Sequence, residues 1–420
     1  MFGAAILFVL AATGTWNPFP RLWNWVNTSE PIAGAAAQWQ QRTGGTPQAV
    51  GIAGTAVIVG YRTSLEAYGL GAGVPLWRSD ADWAAVAGEG GDAVVVTGRL
   101  LTKGYQVLEP RTGAVLRSEI RATAVWTYAN AILDLGCAGA GSCTLSAWDP
   151  RGSRPLWSVS TGGIGFVLHA SNPDLPDTHP LTSSRVADGA AGPRFLPGLI
   201  GLPVDGKVRM IDTAAGTVVQ TVSPGSDQRV AVTGGRVLTV TGTARDGTCY
   251  YTVTGTTPAG GRVWSRDGLN LRTTGNGSGC RQDRDPAGGY DVVLGVDPSA
   301  RPELIAAGDG RVLWQGAANE DVLAVDDGFA LVRNADRSAV RCVAFAGGTP
   351  WRRSLGASGT VALTPYAAIV ASSRPGRIVA VTPASGTVRA DIRTDGKVFA
   401  VGPTGMIVAS GRDMAFVPFR

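Results

Sequence analysis

The chain has 420 residues, a formal net charge of +5, only 16% charged residues, and 59 glycines and 25 prolines. So small a charge, with no run of basic residues, leaves no footprint for nucleic acid. The glycine and proline content suits many short strands joined by tight turns better than long surface helices, so an all-β chain is expected. Length alone suggests two or three domains, but a closed ring of repeats absorbs many units in one domain. Lysine stands only at Lys103, Lys207 and Lys397, which with the abundant Ala and Gly reads as the codon bias of a GC-rich genome.

The chain opens with MFGAAILFVLAAT, Met1 to Thr13, which holds no charge. It is shorter than the roughly 20 residues of a membrane span, but Trp16, Trp23 and Trp25 follow where interfacial aromatics sit. Residues 1–16 are read as a membrane anchor or signal-like segment, 17–35 as a juxtamembrane linker and 36–420 as a single domain; a buried hydrophobic strand is the other reading of the opening stretch. No convincing Ala-x-Ala cleavage site follows, so the expectation is a retained anchor in the cell membrane with the domain on the extracytoplasmic side. The first cysteine is Cys137, which excludes attachment through a lipid-modified N-terminal cysteine.

From Ser64 onward one pattern recurs: an apolar strand, a small turn ending in Gly, then apolar residues and often Trp. It reads SLEAYGLGAGVPLWR from Ser64, YQVLEPRTGAVLR from Tyr105, LSAWDPRGSRPLWS from Leu145 and VRMIDTAAGTVVQ from Val208. It continues from Tyr251, Glu303, Val340 and Arg377. Each copy reads as a hairpin in which Gly113, Gly216, Gly261, Gly310, Gly348 or Gly386 supplies a positive φ. Two shorter apolar runs precede each hairpin, giving four strands per unit at a spacing near 40 residues. A lone four-stranded sheet cannot bury both faces, so such units stack around a ring as a β-propeller. Trp77, Trp157, Trp264, Trp314 and Trp351 are expected to pack between adjacent blades rather than form a ligand platform.

Past the eighth hairpin the chain adds KVFAV, GMIVAS and DMAFVPF, three strands without a fourth, whereas Gln38 to Arg42 reads as an isolated outer strand before the first unit. Pairing the two would lock the ring and remove exposed edges. Eight blades are expected, with nine as the alternative.

Cys137 and Cys143 bracket a glycine-rich loop, and Cys249 and Cys280 lie in turn-rich sequence. These four are disulfide candidates in an oxidising compartment; spacing leaves their connectivity open, and five unpaired thiols are the other reading. Cys342, in VRCVAF, reads as a core residue. With no C-x-x-C pair and only His169 and His179, zinc fits poorly.

The segment Glu109-Pro110-Arg111-Thr112-Gly113, with Asp149-Pro150 and echoes at Thr257-Pro258 and Thr382-Pro383, resembles the repeats of pyrroloquinoline-quinone-like (quinoprotein-type) propellers. That superfamily includes quinone-dependent alcohol dehydrogenases and BamB-like assembly adaptors, and its members commonly have eight blades. Residues 17–31, NPFPRLWNWVNTSEP, further resemble membrane-anchored actinobacterial propellers that carry no assigned activity. The resemblance covers about Gln38 to Arg420 and speaks to fold far more than to function.

The dehydrogenases of that superfamily need calcium held by Glu and Asn, an Asp base, a Trp floor and adjacent cysteines. This chain has no adjacent cysteine pair and no match to the metal-binding motif, so no catalytic, cofactor-binding or metal-binding residue is assigned and no cofactor is expected. No G-x-S-x-G, H-E-x-x-H or P-loop occurs. Two insertions, Asn172 to Pro197 and Arg272 to Gly289, stand out as loops for binding. Asp174, Asp177 and His179 in the first, and Arg281, Asp283, Arg284 and Asp285 in the second, read as solvated polar groups before they read as a site. The expectation is a non-catalytic, membrane-tethered scaffold for protein or cell-envelope partners; the alternative is a quinone- or carboxylate-dependent enzyme with its site in the central channel. No small-molecule ligand is identified.

Overall fold

The computed structural model describes residues 32–99, 102–139, 141–162, 170–171, 194–271, 280, 291–347, 349–356, 358–373 and 375–420. They form an all-β propeller of nine antiparallel sheets. Blade 1 spans residues 49–80, blade 2 83–119, blade 3 122–162, blade 4 199–222, blade 5 228–267, blade 6 292–315, blade 7 321–354 and blade 8 360–393. Blade 9 combines residues 397–418 with the strand Trp39–Arg42. The count is therefore nine and not the expected eight: the eight glycine-closed hairpins are all present, and the strands that close the ring make a sheet of their own.

Closure runs through register pairs that join the two ends of the chain: Trp39 lies opposite Phe416, Gln40 opposite Ala415, Gln41 opposite Met414 and Arg42 opposite Asp413. The outer edge of blade 9 is thereby supplied by early sequence, and no blade is left with an unpaired inner partner at the seam. Just past this strand, the Arg412 guanidinium donates to the Thr43 and Gly44 carbonyls at 3.0 Å each, and the Thr43 hydroxyl donates back to the Arg412 carbonyl at 2.7 Å.

Burial follows position in the blade. Second strands such as Ala56–Gly60 and Gly405–Ser410 are covered on both faces by neighbouring blades, which is why they read as unbroken apolar runs. Outer strands such as Pro75–Asp80 and Thr217–Val222 alternate, because only one face meets a neighbour. The apolar core is divided into nine clusters, one at each blade junction: Ala53, Leu65, Ala84 and Val95 fill the junction of blades 1 and 2, and Trp39, Val57, Tyr68 and Phe416 that of blades 9 and 1. Trp77, Trp157, Trp264, Trp314 and Trp351 all lie in these clusters.

The tryptophans make a specific lock. From the outer strand of one blade the indole Nε1 donates to a carbonyl in the last turn of the next: Trp39 to Leu70, Trp77 to Pro110, Trp157 to Thr213, Trp264 to Ala307 and Trp351 to Pro383, at 2.6–2.9 Å. A second turn residue lies under each ring, namely Gly73, Gly113, Gly216, Gly310 and Gly386, all at positive φ. The locks fall at junctions 9/1, 1/2, 3/4, 5/6 and 7/8, so they alternate around the ring until the odd number of blades forces two of them to flank blade 1. At junction 2/3 the place is taken by Arg117, which stacks over Trp148 at 4.3 Å and donates to the Gly152 carbonyl. Trp314, at junction 6/7, instead carries the Arg341 guanidinium 5.4 Å above its ring.

One turn residue differs from expectation: in blade 5 the positive φ belongs to Gly260 (φ 87°) and not to Gly261. In blade 7 Gly347 has a φ of 97°, and Gly348 lies outside the described residues. The sheets of blades 4 and 6, which follow the two insertions, show three strands each among the described residues; an antiparallel bridge from Asn270 to Val296 extends the inner edge of the second. Ala170–Ser171 runs parallel to Gln228–Thr233 on the inner edge of blade 5.

Disulfides join Cys137 to Cys143, which face each other across a hairpin of blade 3, and Cys249 to Cys280. Cys342 is buried; burial pushes its thiol up to about 11, and Asp326 adds to the shift. Residues 1–31 lie outside the described residues, and no helix among the described residues is long and apolar enough to cross a membrane. Ile32 and Ala33 are buried between blades 8 and 9.

Candidate functional site: the mouth of the central channel

Antiparallel order gives the ring two distinct faces. The front carries the turns that join first to second and third to fourth strands of each blade; the back carries the middle turns and the blade-to-blade connections. First strands line the channel, since Ala49–Ala53 abuts both Lys397–Val401 and Trp83–Ala87. The first turn of every blade thus reaches the front mouth of the channel, where residues distant in sequence meet.

The end of the first insertion is fixed there. The Ala129 amide donates to the Arg194 carbonyl at 2.6 Å, the Leu196 amide to Asn130 Oδ1 at 2.7 Å, and the Thr213 hydroxyl to the Pro197 carbonyl at 2.5 Å. These bonds tie Arg194 to Pro197 between blades 3 and 4 and leave Phe195 exposed. From this side Arg194 acts electrostatically on Asp326 and Asp327, in the first turn of blade 7. Blades 4 and 7 are not neighbours in the ring, and on both carboxylates the influence of Arg194 is the smallest of the effects.

The carboxylates are held in strained electrostatic company. Burial pushes Asp326 above the usual aspartate range, although its Oδ1 accepts the Gly328 and Phe329 amides at 2.8 and 2.7 Å and Arg194 opposes the shift. Asp327 is also raised, first by the surrounding protein, then by the like charges of Asp291 and Asp326. The Asp291 amide donates to Asp327 Oδ1 at 2.8 Å and so pins the entry of blade 6 to this turn. Burial likewise raises Tyr366 in the first turn of blade 8, with a contribution from Glu89 in the first turn of blade 2. The front face thus brings the carboxylates of Glu89, Asp291, Asp326 and Asp327 together with Arg194, with Arg151 and Arg236 bonded to carbonyls of the same face, and leaves Phe195 exposed.

Such carboxylates can attract and orient cationic groups. Among the described residues no group of His, Cys, Asp and Glu is arranged to hold a metal ion. Sequence reasoning singled out Asn172 to Pro197, of which 194–197 is described and reaches the mouth; Asp174, Asp177 and His179 lie outside the described residues. So do Arg281, Asp283, Arg284 and Asp285; within the second insertion Cys280 is described, tied to the hairpin tip of blade 5 through Cys249. Asp291, Asp326, Asp327 and Glu89 were not anticipated, and the only local signal was the Asp326-Asp327-Gly328 turn.

A second polar group lies inside junction 2/3. The Tyr105 hydroxyl and the Trp148 indole donate to Asp134 Oδ2 at 2.8 and 3.0 Å, and Arg117 reaches the Tyr105 hydroxyl at 3.4 Å. Burial raises Asp134 to about 6 against these bonds. Asp134 is only 6% exposed, so the group serves packing and not a ligand.

No family profile and no curated protein matches the chain. Among solved structures, BamB from Moraxella catarrhalis is similar at 17% identity and a TM-score of 0.40, covering 84% of this chain and 98% of that one. The computationally designed Ika8 protein is similar at 14% identity and a TM-score of 0.40, covering 81% of this chain and 98% of its own.

Proposed function

We propose that the protein is a non-catalytic interaction scaffold, tethered to the cell membrane through the segment before Ile32, that docks a basic segment of a cell-envelope protein on its front face. The observation that carries the reading is the meeting of Asp291, Asp326 and Asp327 from blades 6 and 7 with Arg194 of the first insertion, on the face where Glu89 of blade 2 acts on Tyr366 of blade 8. Carboxylates held together against their own repulsion are useful to a cationic partner and costly otherwise. Phe195 supplies the exposed aromatic anchor that interfaces favour at their centres. The uncharged run from Met1 to Thr13 and the tryptophans that follow it support the tether.

The test is site-specific photo-cross-linking from position 195 in intact cells. A single envelope protein captured from this position, and lost on charge reversal by Asp291→Lys with Glu89→Lys, is the expected result. Capture that is unchanged by the reversals, or recovery of cytoplasmic proteins alone, would contradict it.

A further inference from the structure

We propose that the back face of the ring rests on an anionic lipid bilayer, with Ile120 and the cations around it as a contact separate from the tether. This deepens the tethered-scaffold reading and rests on it. Ile32 packs against Gly396, in the connection between blades 8 and 9, with its Cγ2 2.9 Å from the place a Cβ would take there. That connection is on the back face. From Ile32 the chain passes through the short turn Gly34–Ala36 and reaches Trp39, whose indole bonds a front-side turn at Leu70. It thus runs from back to front between Ile32 and Trp39, with Ile32 toward the back of the ring.

On the same face, three blades further round, Ile120 in the connection from blade 2 to blade 3 is, among the described residues, the most exposed of the large apolar side chains, at 78%. One exposed isoleucine is ordinary on a protein surface; its surroundings are what distinguish this one. Arg121 follows it and is exposed. The middle turn of blade 2 backs directly onto it, since a Cβ on Gly104 would lie 2.8 Å from the Ile120 Cα. That turn brings Arg99 and Lys103, which line a cleft of about 310 Å³ together with Trp83 and Thr102. Of the nearby acids, Glu119 is paired with Arg117 at 3.6 Å, and Asp80 and Asp82 lie at the adjoining connection from blade 1 to blade 2, outside the lining of the cleft.

An apolar side chain among cations, next to a cleft with two basic groups and an indole, suits a bilayer surface. The isoleucine enters the headgroup boundary while Arg99, Lys103 and Arg121 meet anionic headgroups. Ile32 and this contact lie on the same face, three blades apart in a ring of nine, so a tether before Ile32 and the contact at Ile120 act together to turn the front mouth away from the lipid.

The experiment uses the full chain in vesicles of phosphatidylcholine, with and without about a third phosphatidylglycerol, a fraction large enough to create a negative surface potential. A fluorophore is attached at Ile120→Cys or at Phe195→Cys, and quenching by lipids that carry a nitroxide on the headgroup is compared. In the anionic vesicles the label at 120 should be quenched several-fold more than the label at 195. The triple reversal Arg99→Glu, Lys103→Glu and Arg121→Glu should reduce that ratio to its value in pure phosphatidylcholine while the protein still floats with the vesicles. Flotation with equal quenching at both sites, or stronger quenching at 195, would overturn the lipid-facing back while leaving the tether standing. Failure to float would overturn the tether itself and this proposal with it.

Discussion

The indole of Trp77 donates to the carbonyl of Pro110 in the next blade at 2.8 Å, and this one bond states the rule by which the ring is assembled. The tryptophan comes from the outer strand of one repeat and its acceptor from the last turn of the following one, so each lock needs two correctly folded neighbours. A Cβ on Gly113 would lie 2.8 Å from the Trp77 ring, at a φ of 70°. Gly113→Ala should therefore destabilise the protein by about 1–3 kcal/mol through overpacking and left-handed strain. Trp77→Phe should cost about 1 kcal/mol through the lost hydrogen bond. Urea denaturation checks both; a neutral Gly113→Ala would show that the lock does not hold the junction.

Asp134 gives the clearest pH dependence. Its pKa, about 6 in the folded ring, lies above the ordinary aspartate value, so between about pH 4 and 6 the folded protein keeps a proton that the unfolded chain has released. The stability it confers is full below that window and falls as pH rises through 6, by about 3 kcal/mol at most. Asp134→Asn keeps an oxygen for Tyr105 and Trp148 and removes the charge. The variant should gain stability relative to the natural chain as pH rises from 4 to 7, read as a flatter plot of melting temperature against pH. Parallel plots would contradict this.

How much of this was legible in the sequence depends on the distance over which residues cooperate. Gly113, Gly216, Gly310 and Gly386 could be read because a turn residue and its strand lie within a few positions, and Gly310 at φ 74° behaves as its spacing requires. The Gln38 to Arg42 strand could be read because three terminal strands lacked a fourth. Blade number was harder: the eight hairpins favoured eight, the closing strands paired with Gln38 to Arg42 gave nine as the alternative, and the ring decides for nine. The indole acceptors, and the coupling of Arg194 to Asp326, carry no local signal, since the partners lie in different blades. Asp134 did leave a trace as a lone acid within the apolar run Ile132–Gly139.

The two disulfides should contribute unequally. Cys249 and Cys280 enclose a loop with a sequence separation of 31, Cys137 and Cys143 one of 6. Loop-closure entropy then assigns about 4 kcal/mol to the first and about 2 kcal/mol to the second. The pair Cys249→Ser with Cys280→Ser should lower the melting temperature more than Cys137→Ser with Cys143→Ser. The reverse order would show that the second insertion is held by other contacts.

Arg412 offers a way to loosen the seam without touching the core. Arg412→Ala removes three guanidinium bonds to the Thr43 and Gly44 carbonyls. The expected loss is about 1–3 kcal/mol, because hydrogen bonds from a charged donor are stronger than neutral ones. Differential scanning calorimetry reads the change, and an unaltered transition would assign closure to strand pairing alone.

The central claim is a ring of nine blades whose last sheet is completed by the strand Trp39–Arg42, and amide hydrogen exchange of that strand in the intact protein tests it most directly. Trp39–Arg42 should be protected to a similar degree as Gly405–Ser410, and the two should become exchangeable together in one cooperative opening. Exchange of Trp39–Arg42 within seconds while Gly405–Ser410 stays protected would contradict it.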